Sequence, residues 1–175
     1  TCCFSQKVSF ETLLNDKISI RAIEIYDNKV WYSGTDSKFG FVDINKAENQ
    51  KQIKLSEETL QFRALAQDET SFLTINIESP AYFFKINKKD LSVKNVYIET
   101  HEKVFYDSMN FWNEKEGILI GDPIENCLSI LITRDGGNSW NKIPCSNLPK
   151  TVDGEAAFAA SNTNVIIKEN NCWIV

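Results

Sequence analysis

The sequence predicts an all-β fold, a β-propeller of four-stranded antiparallel blades, with about three and a half blades present. Three observations lead there. Short apolar–polar alternations, punctuated by turns rich in Asp, Asn and Gly, run from residue 18 to the last residue, as half-buried strands require. Groups of four such strands restate themselves at spacings of 42, 44 and 48 residues, marked by Arg21, Arg63, Asp107 and Glu155. One turn, Thr133-Arg134-Asp135-Gly136-Gly137-Asn138-Ser139-Trp140, is built for a β-hairpin. A two-sheet sandwich would not repeat strand by strand, so the propeller is the preferred reading.

Residues 1–17 carry little pattern and read as a tether, with Phe10, Leu13 and Leu14 available to an outer strand. Order begins at residue 18. Residues 18–26 alternate apolar and polar, Asp27-Asn28 turns the chain, and residues 29–33, 38–44 and 51–55 complete a first unit. Phe62-Arg63-Ala64-Leu65-Ala66 restates Ile20-Arg21-Ala22-Ile23-Glu24 and opens a second unit, continued by residues 71–76, 81–86 and 93–98. A third opens at residues 105–112 and runs through 117–121, 128–132 and the Thr133–Trp140 turn. A fourth is expected to open at Gly154-Glu155-Ala156, with later strands at residues 165–168 and 172–175. Three and a half blades do not close a ring. The sequence therefore reads as the N-terminal part of a longer protein, with self-pairing of two chains as the alternative.

In the Thr133–Trp140 turn, Asp135-Gly136-Gly137 supplies the positive-φ positions at little steric cost, and Asp135 is placed to accept hydrogen bonds from the turn's own N–H groups. Trp140 returns as an apolar cover. Thr133, Asp135, Gly137 and Trp140 are expected to be structural.

Composition narrows the function classes. With 42% hydrophobic and 25% charged residues the chain is an ordinary globular domain. A net charge of −5 argues against non-specific nucleic-acid binding. No apolar run approaches the ~20 residues of a membrane span. With one histidine, His101, and no Cys-x-x-Cys, no metal site is expected. No cofactor is expected either: Gly-x-Gly-x-x-Gly, haem, iron–sulfur and flavin signatures are missing. Cys2-Cys3 fits the junction of a bacterial lipoprotein, in which one of them carries the lipid; two surface thiols on a frayed terminus is the other reading. Cys127 and Cys145 flank the hairpin and are compatible with either a disulfide or free buried thiols. His101 sits in a polar segment and is expected in solvent, while Trp31, Trp112 and Trp173 are expected between blades.

The eight-residue turn resembles the Asp-box, or bacterial neuraminidase repeat, at every fixed position. Beyond it, Phe62-Arg63-Ala64, residues 105–112, Gly117-Ile118-Leu119-Ile120-Gly121-Asp122-Pro123 and residues 154–162 together resemble the photosystem II stability/assembly factor-like family, in its heterotrophic bacterial branch. The resemblance implies a seven-bladed propeller, the box on the face away from the binding site, and an assembly or binding role without catalysis; the lipoprotein-like Cys2-Cys3 junction adds an expected place in the bacterial cell envelope. Members of that branch are often labelled oxidoreductase or glycosyl hydrolase; nothing in these residues supports the former.

In such a blade the first strand lines the channel and starts at the binding face. Arg21, Arg63, Asp107 and Glu155 are therefore expected to ring the channel mouth, with Asp122 on its rim. Charges there either pair to hold the channel open or recognise a protein or peptide partner, the arginines gripping a carboxylate. A glycan ligand, or a sialidase-like hydrolase with Tyr106 beside Asp107, is the alternative. That chemistry wants a third arginine, and Arg134 lies inside the box.

Overall fold

The computed structural model describes residues 8–157 and 162–175. The expected lipidation at Cys2 and Cys3, and the expected strand over residues 158–160, lie outside them. The fold is all-β. β1 (Ile20–Tyr26), β2 (Lys29–Gly34), β3 (Lys38–Asp43) and β4 (Gln50–Lys54) form one antiparallel meander. β5 (Phe62–Gln67), β6 (Ser71–Asn76), β7 (Ala81–Asn87) and β8 (Val93–Glu99) form the second. β9 (Tyr106–Phe111), β10 (Gly117–Gly121), β11 (Ser129–Thr133) and β12 (Asn141–Lys142) form the third. A two-stranded hairpin follows, β13 (Val165–Lys168) and β14 (Asn171–Ile174). The first strands β1, β5, β9 and β13 are successive neighbours, so the sheets stand side by side as propeller blades around a common centre.

The second and third sheets are apolar on both faces because each has a blade on either side, while the first sheet buries only the face turned to the second. Trp31 and Phe39 of the first blade pack on Phe72 of the second, with Trp31 and Phe72 ring centroids 4.5 Å apart. Leu73, Ile75 and Phe83 on the second blade's other face meet Met109 and Leu119 of the third. Ile118, Ile120 and Ile130 on the third blade's far face meet Val165 and Ile167 of the hairpin. Buried polar links run between blades as well: Thr74 Oγ1 donates to Ser33 Oγ at 3.0 Å, and Gln67 Nε2 donates to Glu24 Oε2 at 2.8 Å.

The fourth unit differs from the sequence expectation. β13 lies beside β9 as an innermost strand rather than second in its blade. Its turn, Glu169-Asn170, sits with Trp112, Asn113 and Glu116 at the end of the molecule where β9 turns into β10. Glu169-Asn170-Asn171-Cys172-Trp173 is thus the counterpart of Asp27-Asn28-Lys29-Val30-Trp31, including a positive φ at Glu169 (55°) as at Asp27 (50°). The described residues that connect β12 to β13 contain no strand, only a short 3₁₀ turn, Cys145–Asn147. Glu155 lies in that connection, in a turn where its carboxylate accepts the Val152 N–H at 2.8 Å.

Residues 8–19 contain no strand, so Phe10, Leu13 and Leu14 do not extend the first sheet. Asp16 holds this segment to the first blade by accepting from Lys38 Nζ (2.8 Å) and Gln52 Nε2 (3.1 Å). These donors hold its carboxyl down at about 2, with Lys38 contributing most. No described helix is long and apolar enough to cross a membrane.

Candidate functional site

Three of the residues that open the innermost strands share one backbone feature. In each blade the first strand carries one extra residue relative to its partner: Arg21 lies between Ile20 and Ala22, Arg63 between Phe62 and Ala64, and Asp107 between Tyr106 and Ser108. A β-bulge of this kind leaves a residue out of the ladder and re-aims its side chain. The bulge also draws the strands together. A Cβ on Gly121, opposite Tyr106, would sit 2.2 Å from the Phe105 carbonyl oxygen, so only glycine fits there. Alternation of apolar and polar residues carries no trace of a bulge, and the sequence therefore gave the positions but not their geometry. Counting back from the β13–β14 turn, the fourth equivalent of Arg21 is Thr163, not Glu155. The signal was the Asp27–Trp31 match to Glu169–Trp173.

The three bulge side chains have different surroundings. Arg21 is exposed and forms no hydrogen bond or ion pair among the described residues. It lines a central cleft of about 640 Å³ together with Ile23, Glu24, Asn110, Ile166 and Ile167. Burial pushes the Glu24 carboxyl up, against the opposing hydrogen bond from Gln67. Arg63 is half-buried: its guanidinium stacks over Phe105 at 5.4 Å, and its Nε–H is enclosed without an acceptor. Asp107 is 1% exposed, and neither carboxylate oxygen has a hydrogen-bond partner among the described residues. Desolvation, reinforced by the like charge of Asp122 and only partly offset by Arg63, pushes its carboxyl up to about 7. Asp122 is half-buried on the rim and accepts the Ala157 N–H at 3.0 Å. Asn162 closes the floor: its Oδ1 accepts the Met109 N–H at 3.0 Å and its Nδ2 donates to the Leu65 carbonyl at 2.7 Å.

At the opposite end lies the Thr133–Trp140 turn. Asp135 Oδ1 accepts the Asn138 and Ser139 N–H groups at 3.0 and 2.9 Å, and Oδ2 accepts the Ser139 hydroxyl at 2.6 Å. Thr133 Oγ1 accepts the Gly137 N–H at 2.8 Å. Slight desolvation opposes ionisation of Asp135, but its donors, Ser139 foremost, bring the carboxyl down to about 2. Gly137 has φ +77°, and a Cβ there would meet Leu73 of the second blade at 2.3 Å. Trp140 stacks on Phe83 of the second blade at 4.7 Å. The turn thus packs the third blade on the second. Arg134 is exposed and pairs with Glu116 at this end, away from Arg21 and Arg63.

Cys127 and Cys145 form a disulfide that straps the hairpin's two outer flanks together. His101 is half-buried rather than fully in solvent, because its Nδ1 accepts the Lys103 N–H at 3.1 Å. Trp31 is buried as expected, whereas Trp173 is 51% exposed. Among the described residues no three His, Cys, Asp or Glu side chains cluster as metal ligands would.

Fold and site define a class: propeller blades whose innermost strands carry an open arginine on the first blade and an enclosed carboxyl on the third. The chain matches no protein-family model and no curated protein.

Proposed function

We propose that this chain is a non-enzymatic binding module of the bacterial cell envelope, akin to the photosystem II stability/assembly factor-like propellers, and that it recognises a protein or peptide partner at the channel mouth. The observation that carries the reading is the central cleft of about 640 Å³, in which Arg21 stands exposed and, among the described residues, unpaired over a floor of Ala22, Met109, Phe111 and Ile166. A cationic fork above an apolar, partly amide-lined floor suits an extended peptide with an acidic side chain. The Cys127–Cys145 disulfide is in keeping with an oxidising compartment.

Glycoside hydrolysis is the second reading, and the Asp107–Asp122 pair favours it, because two interacting carboxyls with one held near 7 is how an acid and a base are set apart. Against it, both Asp107 oxygens are shut off from solvent, so a glycosidic oxygen has no route to the proton.

The test is a titration of labelled acidic, neutral and basic peptides at low and high salt, with a fluorogenic sialoside assay alongside. The binding reading expects acidic peptides to bind tightest, salt to weaken them, and Arg21→Ala to cost about tenfold or more, the worth of one charge-assisted hydrogen bond. Equal affinity for all three classes would overturn it. Sialoside turnover abolished by Asp107→Asn would replace it with the enzyme.

A further inference from the structure

The junction between the second and third blades is filled differently from the one between the first and second, and the strand ladders make the two comparable. In the second blade Phe62 pairs with Asn76 and Ile75 with Phe83; in the third Tyr106 pairs with Gly121 and Ile120 with Ile130. Phe83 and Ile130 are therefore equivalent, and so are the residues before them, Tyr82 and Ser129. Tyr82 packs its ring near Phe84, with centroids 6.2 Å apart, against the cluster between the first two blades. Its hydroxyl donates at 3.2 Å to Glu58 Oε1, in the connection from β4 to β5.

Ser129 holds the same position with a side chain too short to fill it. By alternation it shares a face of β11 with Leu131, which belongs to the cluster between the second and third blades. It is 2% exposed, and its hydroxyl has no hydrogen-bond partner among the described residues. A cavity of about 380 Å³ adjoins it, at the small end of the range for small-molecule pockets. Ile124, Pro144 and the Cys127–Cys145 bridge give the cavity apolar walls, and Glu99, His101 and Lys142 give it polar ones. Lys142 pairs with Glu99 Oε1, while the Tyr97 and Tyr106 hydroxyls both donate to Oε2. Among the described residues this leaves Oε1 room for a second donor and Lys142 with unused N–H groups. Lys142 and Glu125 are exposed, so the cavity opens to solvent at its rim.

We propose that this cavity is a second binding site and that it takes a phenol, with the aromatic ring seated where the second blade has the Tyr82 ring and the hydroxyl set between Glu99 and Lys142. The fold supplies the precedent: in the neighbouring junction the same position is filled by a tyrosine whose hydroxyl meets a glutamate. A phenolic hydroxyl both donates to Glu99 and accepts from Lys142, which a bare arene cannot do. No residue of this cavity lines the central cleft, so the inference does not rest on the ligand proposed there.

The experiment is an NMR titration of the isotope-labelled 175-residue chain with p-cresol and, in parallel, with toluene. The proposal expects saturable shifts of the Ser129, His101 and Lys142 amides with p-cresol. Toluene, which lacks the hydroxyl, binds about tenfold more weakly or worse, as the loss of a hydrogen bond to a charged group implies. Ser129→Tyr supplies the ring covalently and removes p-cresol binding, whereas Ser129→Ala keeps it. N-acetyltyrosinamide in a third titration tells the source: binding as tight as p-cresol assigns the ring to a tyrosine of a partner protein, and exclusion assigns it to a small free phenol. The absence of saturable shifts with p-cresol overturns the proposal. So do shifts confined to Arg21 and Asn110 in the central cleft, toluene binding as tight as p-cresol, or p-cresol binding undiminished in Ser129→Tyr. The toluene comparison is made on the wild type and does not depend on how the variant folds.

Discussion

Asp107 offers the sharpest test of the channel-mouth geometry. Its carboxyl is held at about 7 against an ordinary 3.8, chiefly by desolvation. Below about pH 4 the group is protonated in folded and unfolded chains alike, and burying it costs nothing electrostatic. Between about 4 and 7 the unfolded chain releases a proton that the folded chain keeps, so stability falls as pH rises. The slope approaches ~1.4 kcal/mol per pH unit, and the loss above pH 7 amounts to roughly 4 kcal/mol. Asp107→Asn keeps the shape and removes the titration. Its amide carries a fixed cost for enclosed donors, but that cost does not vary with pH. Urea denaturation of both proteins from pH 4 to 8 is therefore read as a difference in slope: the wild type loses stability relative to the variant across the window, and the two run parallel above it. Parallel curves throughout would mean that Asp107 is hydrated or paired and that the bulge does not enclose it. Asp16 and Asp135, both held near 2, act below this window and do not blur it.

Two further outcomes follow from the same structure. Asp135→Ala unties the Asn138 and Ser139 N–H groups at an exposed turn, where water takes over much of their bonding, so the cost is about 1 kcal/mol. Because its folded carboxyl lies below the unfolded value, that contribution is present above about pH 4 and disappears as pH falls through 2, which acid unfolding of wild type and variant will show. Reducing the Cys127–Cys145 bridge, or replacing both cysteines with serine, opens a loop of 18 residues and lowers stability by about 3 kcal/mol in urea titration. An unchanged midpoint would mean that the unfolded chain gains no freedom there.

Much of the architecture was legible because blades are written locally. Residues 71–76 and 117–121 read as strands from alternation and turn chemistry, and β6 and β10 occupy those bounds. The fourth unit was misplaced because Gly154-Glu155-Ala156 imitates a strand opening by composition, while the true register is carried by a tight turn and a tryptophan. The site was less legible. A charge at the start of each inner strand is visible in sequence, but whether it stands free like Arg21 or is shut in like Asp107 depends on the bulge and on which blade lies next to it. The disulfide was open for a similar reason: two cysteines flanking a hairpin do not fix how far apart the flanks stand, and here their Cα atoms are 5.6 Å apart.

Hydrogen–deuterium exchange, with and without a saturating acidic peptide from the titration, tests most directly whether the channel mouth is the recognition face. The account expects protection on the innermost strands around Arg21, Glu24, Gln67 and Asn110, no change at Thr133–Trp140, and loss of the footprint in Arg21→Ala. Protection at the Thr133–Trp140 turn with the inner strands unchanged would contradict it.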